Sequence, residues 1–349
     1  MQKRRHEEFT WKSLSTYRSQ IMGIGIIWVM LFHGIQLYPR VLNIFPLIGN
    51  IMNRGMMGVE IFLFVSGIGL YYSFTKDDRI KSFYLKRIDR VLIPYLIISF
   101  PFWLWQDIWV GRSVKKFLLD ITLVSFWKEG DRTMWYIALI LLLYAAYPLL
   151  YKLFLRDAGA ARKGIFLVGS ILLPWLVYWI GPLHFSKIEI AIWRVSSFAL
   201  GCVAAKWIME SKKLQIWHVL LPAVISAGLI KLTTTMTGPA RIPGVPRLMY
   251  LPIALFLCLV VSLILKLLNF EWLNKFLGAA GKCSLELYMI HIFVKLIYIH
   301  YFFEEGKLST VQGVIIWFLI MALSALLSVG AHYALQNVGV TRFFKKREK

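Results

Sequence analysis

From one end to the other, the chain repeats apolar stretches about as long as a lipid bilayer is thick, and few folds accommodate that. Ten can be marked, at roughly 21–38, 56–75, 91–108, 134–153, 164–181, 188–208, 216–234, 248–269, 284–302 and 311–335. A helix rises about 1.5 Å per residue, so about 20 apolar residues cross a hydrocarbon core of about 30 Å. The expected fold class is all-α, a polytopic membrane helix bundle of about ten transmembrane helices. The 349 residues are 58% hydrophobic, with mean hydropathy +0.64, which excludes an ordinary soluble domain. The basic start runs straight into a full-length span without a small-residue cleavage site, so no cleavable signal peptide is expected.

A net charge of +22 raises the question of nucleic acid. Placement answers against it. Lys and Arg concentrate in 1–20, 76–90, 151–164, 206–215, 266–283 and 342–349, alternate segments that share a side with the N-terminus. Basic loops stay in the cytoplasm, so both termini are expected there and no nucleic-acid partner is expected. The expected organisation is a basic cytoplasmic arm over 1–20, a ten-helix domain over 21–335 and a basic tail over 336–349. The arm suits the inner lipid surface. The mixed-sign 109–133 segment would face outside and suits a short surface helix. The Pro- and Gly-rich stretch 237–246 reads as irregular. Cys202, Cys258 and Cys283 show neither metal spacing nor a disulfide pattern, and no metal is expected.

Ionisable groups inside such spans are costly and usually face a polar cavity. His33 lies twelve residues into the first span, about 18 Å up. Glu60 lies about 6 Å below the outer edge of the second span, and Arg194 about 9 Å down the sixth. Depth alone suggests that the three meet, with Glu60 orienting His33 for proton transfer; His33 as a packing residue and Glu60 as a structural hydrogen-bonding group are the plainer readings. Arg87 and Arg90, three apart on one helix face, suit phosphate, while ordinary cytoplasmic charge explains them equally well. Trp135 and Tyr136 read as interfacial aromatics before pocket walls. His291 is a second candidate for a cavity-facing group, and Lys295, at mid-depth, is expected to point inward. His6, His184, His218, His300 and His332 lie at ends or in loops and receive no role.

Taken in order, these elements resemble the membrane acyltransferase 3 family, bacterial integral-membrane O-acyltransferases. The matching pieces are Leu31-Phe32-His33; Gly58-Val-Glu60-Ile-Phe-Leu-Phe-Val-Ser66-Gly67; Phe83-Tyr-Leu-Lys-Arg87-Ile-Asp-Arg90 before Pro94-Tyr95; Trp135-Tyr136 with Tyr144 and Pro148; Arg194 before Phe198-Ala-Leu-Gly201; and Ser284-Leu-Glu286-Leu-Tyr288-Met-Ile-His291. The resemblance implies a multi-pass enzyme of the bacterial cytoplasmic membrane that moves an acyl group, acetyl by expectation, from cytoplasmic acyl-CoA to a hydroxyl of a cell-surface glycan or related acceptor. It implies that His33 is catalytic and that the Arg87/Arg90 pair binds the donor. The family often carries an arginine eleven residues before the histidine. Here that position is Met22, and Arg18, one turn lower, is the candidate substitute. Arg194, Trp135, Tyr136, Ser66, Tyr288 and His291 are the candidates for substrate or oxyanion contacts. The donor is expected to rise through an inward-opening shaft from Arg87 to His33. The alternatives are a transporter or flippase using the same groups without covalent chemistry, and a sensor that keeps the fold without activity.

Overall fold

The computed structural model describes residues 8–40, 42, 46–235, 245–304, 308–336 and 338. Most of the 237–246 stretch and nearly all of the 336–349 tail lie outside these residues. The described residues form helices and no sheet. The long ones are α1 (Arg18–Leu37), α2 (Pro46–Lys76), α3 (Ile80–Val110), α4 (Trp135–Leu155), α5 (Ala160–Ile180), α6 (Pro182–Ile192), α7 (Val195–Met209), α8 (Ile216–Thr235), α9 (Tyr250–Leu268), α10 (Glu271–Lys282), α11 (Ser284–Tyr301) and α12 (Thr310–Leu335).

Ten spans were expected. Among the described residues seven helices are long and apolar enough to cross a bilayer, or up to nine if each bent pair counts as one span. The expected span 188–208 is broken: α6 and α7 meet at Arg194 with a 40° bend. The expected span 284–302 is α11, and α10 turns away from it by 71°. The expected span 216–234 is helical, but its described apolar part, Ile216–Leu232, falls short of a full crossing. Pro222 and Lys231 interrupt its apolar character.

The centre of the bundle is α2, whose buried positions run almost without interruption from Gly58 to Phe74. Glycine permits that density. Gly67 lies against the Phe198 carbonyl of α7, and Gly201 of α7 lies against the Phe64 carbonyl of α2. Gly23 of α1 and Gly281 of α10 make the same reciprocal approach, against Leu277 and Ser19. In lipid, where no hydrophobic force draws helices together, backbone proximity of this kind supplies the packing.

A proline accounts for one of the other irregularities. Wider π-type turns run over Ile88–Leu92, Leu104–Val110 and Tyr151–Leu155. Pro94 follows the first and leaves a carbonyl within it, that of Arg90, without its usual donor, whereas Pro101 and Pro148 precede the second and third and orphan carbonyls of the turn before them. Local rewinding re-satisfies such groups. The Arg87–Arg90 stretch therefore enters a π turn where a regular α-helix was expected.

The polar connections are tied down. Between α2 and α3 the Asp77 carboxylate accepts from Arg79 (2.8 Å), Lys86 (2.9 Å) and Ser82 (2.7 Å). These bonds hold it far below the usual carboxylate range. They also occupy Lys86, next to Arg87. The 109–133 segment contains two surface helices, Val114–Ile121 and Val124–Glu129, the first capped by Ser113. Lys116 joins them to the start of α4 through Asp120 (2.9 Å) and Asp131 (3.2 Å).

The arm departs from expectation. Trp11 and Leu14 are buried in the bundle, and the Trp11 amide donates to the Lys212 carbonyl (2.9 Å). Its indole packs against Trp207 and His218, both at 5.2 Å. An amphipathic ring with a hydrophobic socket gains more from that socket than from lipid headgroups.

Candidate active site

At the end of the bundle where α1 begins lies a cavity of about 370 Å³. Arg18 and Met22 reach it from α1, Ser66 and Phe62 from α2, Arg87 and Arg90 from α3, Tyr136 and Tyr144 from α4, and Tyr288 from α11. Arg87 is 8% exposed, and its guanidinium lies over the rings of Phe83 (5.0 Å) and Tyr144 (5.5 Å). Those rings fix its plane. Its Nε and Nη2, and Nε of Arg18, are buried and meet no acceptor among the described residues. Buried guanidinium donors are normally paired, so donors left open on a cavity wall mark a place for an anion. Arg18 reaches in alongside Met22, and its Nη2 packs over Gly69, where a side chain would intrude.

His33 has a different partner from the one expected. Its Nδ1 lies 2.8 Å from Nε2 of His291, and Nδ1 of His291 lies 2.6 Å from the Leu287 carbonyl. A carbonyl only accepts, so His291 Nδ1 carries the proton and donates it to Leu287. Neutral His291 then accepts at Nε2, and His33 must donate from Nδ1. The chain of bonds leaves a lone pair on His33 Nε2. This is the tautomer a general base requires, fixed by a second histidine in place of a carboxylate.

Glu60 is engaged elsewhere, which corrects its expected contact with His33. Arg194 Nε lies 2.9 Å from its Oε1, and the Ser197 hydroxyl donates to Oε2 at 2.5 Å. Arg194 also donates to the Ile190 carbonyl (2.6 Å) and faces Trp135 (4.9 Å) and Tyr250 (5.8 Å). Both charged side chains are buried. The break between α6 and α7 turns Arg194 inward, and a guanidinium holds a buried carboxylate better than a neutral imidazole can. With its charge already matched, Arg194 is a poor oxyanion partner. Trp135 and Tyr136, read first as interfacial, are both buried: one covers Arg194 and the other walls the cavity.

The expected shaft from Arg87 to His33 is not continuous. The cavity lining reaches Phe62, Tyr136 and Tyr288 and does not include His33. The Tyr136 and Tyr288 rings stand 5.3 Å apart, and Tyr288 stands 6.1 Å from His291. One layer of phenol rings therefore separates the guanidinium chamber from the histidine pair.

Two residues at the cavity went unassigned in the sequence. Glu286, in the first turn of α11, lies 2.9 Å from Nδ1 of His332, in the last turn of α12, and both line the chamber. The signal was available: two successive antiparallel spans place the first turn of one and the last turn of the next at the same membrane face. Among the described residues no cluster of His, Cys, Asp or Glu has the geometry to hold a metal ion.

No curated protein and no solved structure matches the chain. Residues 21–333, which carry the histidine pair, the Glu60–Arg194 pair and all of the chamber lining except Arg18, Ser19, Leu335 and Gln336, match the model of an acyltransferase domain. The chain therefore belongs to the acyltransferase 3 family and is a membrane-embedded acyltransferase.

Proposed function

We propose that the protein moves an acyl group, acetyl in the simplest case, from cytoplasmic acyl-CoA to a hydroxyl of a cell-surface glycan or a related acceptor, across a bacterial cytoplasmic membrane. In this reading the N-terminal end of the bundle faces the cytoplasm. The phosphates of coenzyme A dock on Arg18, Arg87 and Arg90, with Arg18 standing in for the family arginine that is absent at Met22. The thioester end points along the chamber toward Tyr136 and Tyr288, and Ser66 lines its path. Transfer proceeds with that phenol layer displaced, because the histidines lie beyond it. His33 Nε2 then takes the proton of the attacking hydroxyl, held in its tautomer by His291. Glu60 and Arg194 serve as an internal brace and take no proton.

The observation that carries this reading is the convergence of buried guanidinium donors on one chamber whose far wall backs onto a histidine with a free lone pair. Charge-assisted bonds contribute about 1.5–3 kcal/mol each. Arg87→Ala is therefore expected to weaken coenzyme A binding about 10- to 100-fold, with Arg18→Ala acting in the same direction. Calorimetric titration of coenzyme A into the protein in lipid nanodiscs measures both. Unchanged affinity in both variants would remove the chamber as the donor site.

A further inference from the structure

Lys295 lies one helical turn beyond His291 on α11. Four-residue spacing puts the two side chains on one face, with Cβ atoms about 5–6 Å apart. His291 in turn lies 2.8 Å from His33, so Lys295 stands one turn from the histidine pair. Among the described residues it has no carboxylate and no hydrogen-bond acceptor as partner. Lys295 is half-buried, and the other cations within the bundle differ from it: Arg194 is matched by Glu60 at 2.9 Å, and Arg18 and Arg87 face the chamber.

An ammonium within a membrane span costs several kcal/mol unless an opposite charge meets it. No described residue meets Lys295 with an opposite charge, which leaves it open to a negative charge that arises during turnover. Acyl transfer produces one, the oxyanion of the tetrahedral intermediate, within reach of the base that triggers it. We propose that Lys295 is a further catalytic residue, the cation that stabilises this oxyanion beside His33; the assignment rests on the acyl-transfer reading above.

The step balances. The acceptor oxygen bonds to the thioester carbonyl carbon as His33 Nε2 takes the hydroxyl proton. The carbonyl π pair moves to oxygen, opposite the Lys295 ammonium. Collapse of the intermediate breaks the C–S bond, and the departing thiolate recovers the proton from His33 and leaves as the thiol. Lys295 keeps its proton throughout.

The test compares Lys295→Met and Lys295→Arg in release of coenzyme A thiol from acetyl-coenzyme A, with water serving as the attacking hydroxyl, by the purified protein in nanodiscs. Removing one oxyanion partner costs about 100- to 1,000-fold in kcat. Lys295→Met is expected to lose that much, with KM and coenzyme A affinity close to wild type, and Lys295→Arg to recover at least about tenfold of the loss. A methionine variant as active as wild type overturns the assignment and leaves Lys295 as a side chain reaching for lipid headgroups. Loss of coenzyme A affinity in both variants also overturns it, in favour of a packing role. Absence of thiol release by the wild-type protein overturns the acyl-transfer reading itself, and this assignment with it.

Discussion

Replacing His33 with alanine is expected to slow thioester cleavage about 100- to 10,000-fold and leave coenzyme A affinity unchanged. The size follows from what the side chain supplies. A hydroxyl is a poor nucleophile near neutral pH unless a base takes its proton as it attacks. The His291–Leu287 relay prepares His33 Nε2 for that task before any substrate arrives. The unchanged affinity follows from position, because His33 is outside the lining of the guanidinium chamber. Thiol release and calorimetry on the same preparation separate the two effects. A His33→Ala protein that releases thiol at the wild-type rate would reject the base assignment whatever its affinity.

The second large effect concerns stability. Glu60→Ala leaves the Arg194 guanidinium buried and unmatched, and Arg194→Met does the same to the carboxylate. Breaking a buried pair from one side typically costs about 3–5 kcal/mol. Either single variant is expected to show a large drop in thermal unfolding temperature in detergent. Apolar replacement of both partners is often neutral or better, so Glu60→Leu combined with Arg194→Met is expected to recover most of the loss. A double variant that is stable and still binds coenzyme A would identify the pair as a brace. Single variants as stable as wild type would mean that the 2.9 Å contact is not maintained in the bilayer.

Hydropathy made the bundle legible, because a span has to announce itself through about 20 apolar residues whatever its neighbours are. It did not reveal the break at Arg194. A charge at a helix break and a charge facing a cavity look alike in one dimension. The arginines of the chamber were legible too: Arg87 and Arg90 stood out by their helical spacing and Arg18 by the family resemblance, and all three line it. Pairing was not legible. Glu60, His33 and Arg194 share the same half of the membrane, and depth cannot say which two of three meet. His291 read only as a second candidate for a cavity-facing group, because its partner is on another helix, 258 residues away in sequence.

The phenol layer of Tyr136 and Tyr288 bears on the life of a cell that stores energy as an ion gradient. A protein with polar groups at both faces and a hollow between them invites an unbroken file of water, along which protons would short-circuit that store. Two rings 5.3 Å apart, at the chamber wall, interrupt such a file. On the proposed reading, the bilayer stays electrically tight while an acyl group is handed from one compartment to the other.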